Sequence, residues 1–459
     1  MVTSNDEIWK DRRRSIMSHP SFAKYLVPEP LSSEHVAIEG DQGAETRLRI
    51  SGIRSKPFTS SVDEADKGWM NQDFTDLSTL GKNIVNRRSR PLGTRINRKP
   101  ILVFWETTKA CPLSCMHCRA TALKAPQPGE LSTDQGCELI RQVAQFGSPS
   151  PILVLTGGDV LMRSDLEELV SYAGSLEVRV ALAPAVSDNL DAVRMAALFN
   201  LGVRSVSLSL DGIGSTHDGV RGIEGHYQST LDAISMLTRI GYRVQINTTV
   251  MSGNVYDLPA IAELLLRYDV KIWEVFFLIQ TGRGVSLLEL EPEENEDVSR
   301  FLYQVTGYGI SVRTVEAPFY RRVVLNLREG DTNSAGLYPP GVMYRILKTE
   351  LNQRLGPPTV RHASTVGATR HGKGIIFIAH NGDVYPSGFL PLSLGNIRSS
   401  RLENIYQSHP LLKAIRSSSF NGRCGSCLYS DICGGSRSRA YSYFNDPLAS
   451  DPGCVFVGA

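Results

Sequence analysis

Ile101-Leu-Val-Phe-Trp105 is a short apolar run, and soon after it comes Cys111-Pro-Leu-Ser-Cys115-Met-His-Cys118. The run reads as a buried strand and the cysteine stretch as the loop at its carboxyl end. Comparable runs recur as PILVLT at 151–156, VRVALA at 178–183, VRSVSLSL at 203–210, RVQINTTV at 243–250 and IWEVFFLI at 272–279. Between them lie amphipathic patterns with helical spacing: a stretch opening Ser132-Thr133-Asp134 and running through ELIRQVAQF, then LEELVSYA, DAVRMAALF, LDAISMLTRI and LPAIAELLLRY. Strand-then-helix repetition predicts parallel strands joined by right-handed crossovers, with ligand chemistry at the strands' carboxyl ends. Six units are too few for the closed eight-strand barrel, so the expected fold is α/β, an open, partial (β/α)6 barrel of about 230 residues.

That core is expected over 98–329. Residues 1–97 lack the alternation and form an N-terminal extension, and the turn-rich GDTNSAGLYPPG at 330–341 marks the start of a smaller α+β unit over 330–459. The run at 86–99 holds six basic residues, Arg87, Arg88, Arg90, Arg95, Arg98 and Lys99, with none of opposite sign. It reads as a solvated linker or as a clamp for an acidic partner.

Lys and Arg (49) nearly balance Asp and Glu (47), so no global field points to nucleic acid or an anionic membrane. The opening MVTSNDEIWKDRRRS is charged where a signal peptide would be apolar, and no apolar run reaches membrane-spanning length. A cytoplasmic location is expected. Eight cysteines are too few for a disulfide scaffold of 459 residues, and they cluster: three within 111–118, three within 424–433, with Cys137 and Cys454 apart. Clustered thiols in a reducing compartment point to metal. Cys137, inside an amphipathic helix pattern, reads as a buried small hydrophobe.

Soft thiolates at C-x3-C-x2-C spacing suit an iron–sulfur cube, and three cysteines leave the fourth iron open to an outside ligand. The bland alternatives are three buried thiols or a Cys3His zinc site completed by His117. This loop, with the alternation behind it, resembles the radical S-adenosylmethionine (SAM) superfamily over about residues 100–320. The resemblance implies that SAM chelates the open iron of the [4Fe–4S] cluster and is cleaved reductively to a 5′-deoxyadenosyl radical, with no protein acid or base required.

Other segments carry the same resemblance. Thr156-Gly157-Gly158-Asp159 is similar to the Gly-Gly-Glu motif that meets the SAM ammonium, with Asp159 in place of Glu. Ser209, in Ser209-Leu-Asp211-Gly212, and Arg221 are spaced as the residues that grip the SAM carboxylate. Asn247, Thr249 and His117 are further candidates for cofactor contact. A strand-ending turn, a solvated arginine and polar fillers of a barrel mouth are the corresponding bland readings.

Cys424-Gly-Ser-Cys427, Cys433 and the downstream Cys454 supply four more thiols, enough for a closed cluster or a zinc ribbon. The pattern resembles the auxiliary iron–sulfur domain called SPASM or, when shortened, twitch. Ser387 stands in Gly382-Asp383-Val384-Tyr385-Pro386-Ser387 where the full version has a cysteine, so one auxiliary [4Fe–4S] cluster is expected.

The sequences around both thiol sets, His117-Cys118-Arg119-Ala-Thr-Ala122 and Cys433-Gly-Gly-Ser-Arg437-Ser-Arg439, look like those of the heme-biosynthesis group that includes the iron-coproporphyrin decarboxylase. Thr281-Gly-Arg283-Gly284 matches a segment of the same group. The resemblance implies hydrogen abstraction from a tetrapyrrole propionate, with Arg283, Arg437 and Arg439 as candidate carboxylate partners or, on the bland view, packing residues. An external flavodoxin- or ferredoxin-like donor would supply the electron. The alternatives are a maturase of a ribosomal peptide and, outside catalysis, an iron–sulfur scaffold or sensor.

Overall fold

The computed structural model describes residues 96–328, 338–362 and 369–456. The expected N-terminal extension and most of the basic run at 86–99 lie outside the described residues.

The chain alternates β1 (Leu102–Glu106), α1 (Thr133–Ala144), β2 (Ile152–Thr156), α2 (Leu166–Ser175), β3 (Val180–Leu182), α3 (Ala192–Asn200) and β4 (Ser205–Ser209). Two helices follow, α4 (Ser215–Arg221) and α5 (His226–Ile240), then β5 (Arg243–Val250), α6 (Leu258–Arg267), β6 (Ile272–Phe277) and α7 (Pro292–Val305). The boundaries have local causes. Ser132 and Gln135 form a reciprocal capping box on α1, Asp191 caps α3, and Gly241 ends α5 in the left-handed conformation.

The sheet runs further than six strands. β7 (Ser311–Val315) adds beside β6, and α8 (Phe319–Arg328) and α9 (Val342–Leu355) follow. Beyond the expected boundary at 330, β8 (Arg370–His371), β9 (Gly374–Ile378) and β10 (Val384–Tyr385) join the same sheet at its other edge, where β9 runs parallel to β1. The order is β10-β9-β1-β2-β3-β4-β5-β6-β7, with β8 on β9. α10 (Leu402–Ser408), α11 (Pro410–Arg416), α12 (Gly422–Ser426) and α13 (Arg437–Phe444) complete the C-terminal region.

Burial alternates along each strand and so separates the two faces. Val103, Trp105, Leu153 and Leu155 have no exposed surface and pack under the helices, each such side chain stabilising the fold by about 1.5–3 kcal/mol. The register aligns the other face across strands: Phe104 with Val154 and Phe377, Ser209 with Asn247, Asn247 with Glu274, Thr249 with Phe276. These residues line the hollow of a curled half-barrel, and all but Phe377 keep part of their surface open. The sheet's two ends meet at Glu316, just past β7, which accepts from His371 at 2.9 Å and from Ser387 at 3.4 Å. Among the described residues no helix is long and apolar enough to cross a membrane.

Candidate functional site

The cysteine loop leaves β1 and returns through a bridge at its base, where Cys111 N donates to Leu123 O at 2.7 Å and Leu123 N to Lys109 O at 2.9 Å. Glu130 secures that base by accepting from Thr108 Oγ1, Lys109 N and Gln127 N at 2.8–3.1 Å. Three neighbours then hold the loop. The Gly157–Gly158 turn abuts it so closely that a Cβ on Gly158 would stand 2.3 Å from Ala110 O; only glycine fits there. Met116 N donates to Val220 O in α4 at 2.9 Å. Arg283 donates to Cys115 O at 2.9 Å and Ala122 O at 3.2 Å, and its own N–H to Cys118 O at 3.0 Å.

Cys111 and Cys115 are buried with Leu113, and Cys118, Ala122 and Ala185 pack against them. Burial, with nearby Asp159, Cys115 and Cys118, pushes the Cys111 thiol up to about 11; ligation by iron would displace that proton. Among the described residues no three His, Cys, Asp or Glu side chains converge on one point as a lone ion requires. A cube takes each thiolate on a separate iron corner, and the three thiols packed here with Leu113, Ala122 and Ala185 are the ligands such a corner set calls for.

Beside the thiols, Asp211 is the organising carboxylate. It accepts from Thr249 N at 2.7 Å, meets His117 Nε2 at 3.0 Å and pairs with Arg221. Burial raises its pKa, but the charge of Arg221 and the contacts of His117 outweigh that and hold it well below the usual carboxylate range. Arg221 Nη1 lies 3.5 Å from Cys115 Sγ, and both Arg221 Nε and His117 Nδ1 are buried without partners. Such orphaned polar atoms beside the thiols are where a polar cofactor group would be received.

Asp159 sits in the turn that follows β2. Its carboxylate is fully buried and accepts from Leu161 N, Ala185 N, Ser187 Oγ and Asn189 Nδ2 at 2.8–3.4 Å. It shapes the turn and ties it to the loop after β3, while the Gly157–Gly158 main chain packs against Thr108 and Ala110. Ser209 and Asn247 pair in register on the hollow face, with Asn247 Oδ1 accepting from Gln245 at 2.8 Å.

Cys424, Cys427, Cys433 and Cys454 lie in the C-terminal region, where Cys433 is near both Cys424 and Cys454. Main-chain N–H groups approach Cys424 Sγ from Asp451, Cys427 Sγ from Tyr429 and Cys433 Sγ from Gly435 at 3.4–3.5 Å. Burial pushes Cys433 up to about 11 and Cys454 up to about 12. Arg437 Nη2 lies 3.7 Å from Cys424 Sγ, and its other donors serve Gly435 O, Pro447 O and Ala449 O. Arg370 donates to Ser430 O, Cys433 O, Ile415 O and Ser418 Oγ. The two guanidiniums flank the Phe420 ring at 4.4 and 5.1 Å, and Gly434 lacks a side chain because Arg370 Nη1 occupies its space. Neither arginine has a carboxylate partner among the described ion pairs. Buried cations beside thiols match an anionic thiolate-bound cluster.

Arg437 and Arg439, expected as propionate partners, are held inside the protein. Both are 2% exposed. Arg439 joins α13 to the barrel through Glu289 at 2.8 Å, Asp451 at 3.3 Å, Glu316 O at 3.1 Å and Leu278 O at 3.4 Å. Arg283 clamps the cysteine loop. Ser387, in the position of a missing cysteine, is fully buried and engaged with Glu316 and Phe389 N. Cys137 packs against the main core.

Comparison with known proteins agrees with this architecture. Residues 105–265 match the radical SAM superfamily and residues 370–428 an iron–sulfur cluster-binding domain. The AdoMet-dependent heme synthase of Oleidesulfovibrio alaskensis is 32% identical over 77% of this chain and 87% of its own. The mycofactocin maturase of Mycolicibacterium smegmatis is 28% identical over 78% and 83%. The structure of Streptococcus suis SuiB bound to S-adenosylmethionine shares the fold, with a TM-score of 0.54 over 78% of each chain at 13% identity. Three thiols packed on the loop that leaves the first strand of a curled parallel sheet, further thiols in the C-terminal region and 32% identity to that synthase over 87% of its length make one case: the chain is an enzyme of the radical SAM superfamily, using S-adenosylmethionine and a [4Fe–4S] cluster.

Proposed function

We propose that this enzyme acts on a propionate side chain of a tetrapyrrole, by oxidative decarboxylation or side-chain removal. The observation that carries this reading is the identity of 32% along 87% of a heme synthase, spanning core and auxiliary regions together. When bound, SAM and its cluster supply a 5′-deoxyadenosyl radical that takes a hydrogen atom from the substrate.

In this reading Cys111, Cys115 and Cys118 hold the radical cluster, and Cys424, Cys427, Cys433 and Cys454 hold one auxiliary [4Fe–4S] cluster that accepts an electron. The Gly157–Gly158 turn with Asp159 receives the SAM ammonium. Arg221, oriented by Asp211, and Ser209 receive its carboxylate, with Asn247 and Thr249 as ribose or amino-acid contacts and His117 as a further contact of the cofactor. The core extends over 98–329 and the auxiliary unit over 330–459, which lends its strands β8–β10 to the core sheet. A flavodoxin- or ferredoxin-like protein delivers the first electron, in the cytoplasm.

The second reading is maturation of a ribosomal peptide, favoured by the 28% identity to the mycofactocin maturase. Anaerobic reconstitution and incubation with SAM, a reductant and iron-coproporphyrin separates the two. The tetrapyrrole reading expects 5′-deoxyadenosine together with a porphyrin lighter, for each propionate changed, by carbon dioxide and two hydrogens, or by the whole side chain. 5′-Deoxyadenosine with an unchanged porphyrin, and turnover of a short peptide instead, would transfer the assignment to the maturase.

A further inference from the structure

With Arg283, Arg437 and Arg439 engaged inside the protein, another cation stands in the hollow of the sheet. We propose that Arg119, braced on Phe377 and Phe389, is the carboxylate-binding residue for a planar polycarboxylate, the tetrapyrrole substrate; this rests on the function proposed above and names the surface that recognises it.

Arg119 follows the last thiol of the cysteine loop. Its guanidinium lies 4.6 Å over the Phe377 ring and 5.9 Å from that of Phe389. A would-be Cβ on Gly388 would stand 3.0 Å from Arg119 Cζ, so glycine leaves room for the group. The side chain is 19% exposed, against 2% for Arg439. Its polar contacts are long: Nη1 reaches Glu106 Oε1 and Gly388 O, each at 3.5 Å. Glu106 has a closer partner in His380 at 3.2 Å. A guanidinium carries five N–H donors, and here those on Nη2 and Nε are not engaged by any described hydrogen bond.

The rings under Arg119 extend into a wall. Phe377 stacks on Tyr385 at 6.3 Å with planes 7° apart, and Phe389 meets Phe276 at 6.1 Å and His371 at 6.5 Å. These residues come from β6, β8, β9, β10 and the segment after β10, so both ends of the sheet contribute. Across the hollow face lie Ser209, Asn247 and Thr249, which are polar and uncharged, and Glu274, whose carboxyl is pushed up by burial and so disposed to the neutral form. An aromatic wall offers a flat macrocycle face-on or edge-on contact. A guanidinium already held flat loses little freedom when it takes a carboxylate through two parallel bonds.

The test uses the full chain, reconstituted with iron and sulfide and kept free of SAM, titrated with iron-coproporphyrin while the porphyrin absorbance is followed. Arg119→Gln is expected to weaken binding about ten-fold or more, the scale of a lost charge-assisted bond, with iron content as in the parent. Arg119→Lys should fall between. Phe389→Leu should weaken binding to a smaller degree. Unchanged affinity in iron-loaded Arg119→Gln overturns the proposal. Should that variant not retain iron, the parent protein decides: equal affinity for the porphyrin and its fully esterified form, which has no carboxylate, overturns it, and a loss on esterification supports it. A parent protein that binds neither porphyrin rejects the tetrapyrrole reading itself, a distinct outcome.

Discussion

The carboxylate of Glu316 meets Nδ1 of His371 at 2.9 Å, and this contact ties the last strand of the sheet to its opposite edge. Glu316 also accepts from Ser438 at 2.7 Å, from Ser436 and from Ser387. Burial raises its pKa, yet His371 and the two serines of the α13 segment outweigh that and hold it down to about 2. Glu316→Ala would leave these buried donors unpaired, at a cost of about 3–5 kcal/mol. The expected result is a melting temperature lower by roughly 5–10 °C in the reconstituted protein, followed by circular dichroism, with Glu316→Gln intermediate. Coincident melting of Glu316→Ala and the parent would remove the latch from this account.

Asp211 is where the SAM-binding region can be tested away from the thiols. Asp211→Asn keeps the shape but removes the charge that orients Arg221 and His117. We expect SAM affinity to drop about ten-fold, in line with loss of one charged hydrogen bond, and 5′-deoxyadenosine formation to slow, while the iron count stays that of the parent. Equilibrium dialysis with labelled SAM measures the first, and normal affinity would show that Arg221 is oriented by other means.

Much of this was legible in the sequence because the signals are local. The apolar runs at 101–105 and 243–250 and the thiol spacing of 111–118 each lie within a few residues, and the elements form where those patterns place them. What was not legible depends on distant pairing. β7 reads Ser-Val-Arg-Thr-Val, too polar to stand out, because Ser311 and Arg313 are exposed. Nothing near Gly374–Ile378 announces that it will pair with β1. Asp211 was visible inside Ser209-Leu-Asp211-Gly212, but its partners come from three separate segments. One further signal was available: the alternating polar positions of VSLSL, QINTTV and WEVFF mark the residues that line the hollow.

The two thiol sets should load and empty independently. With two cubes the reconstituted chain should hold about eight irons, and about four after Cys424, Cys427 and Cys433 become Ala. Removal of Cys111, Cys115 and Cys118 should leave about four as well, and should abolish SAM cleavage where the first variant retains it. An iron count unaltered by the C-terminal substitutions would rule out a cluster there.

A pair of buried imidazoles gives the fold a predictable response to acid. His217 Nδ1 accepts from Asp211 N at 3.0 Å, so its Nε2 carries the proton and donates to His226 Nδ1 at 2.9 Å; His226 Nε2 in turn donates to Val186 O at 2.9 Å. Every ring nitrogen of His217 and His226 is satisfied with both rings neutral, and the strut links the end of β4 to the loop after β3. Burial, with the charge of Arg221, pushes His217 down to about 3, and burial lowers His226 as well. The unfolded chain therefore binds protons that the folded one refuses, beginning near the ordinary histidine value of about 6.5. The stabilisation is fully present above that pH and is lost as pH falls from about 6.5 toward about 3. Replacing both residues, as His217→Asn with His226→Gln, should lower stability at pH 8 and flatten its decline between about pH 6.5 and 5, as read from denaturant midpoints of parent and variant at each pH. Parallel declines in the two proteins would mean that other groups set the acid response.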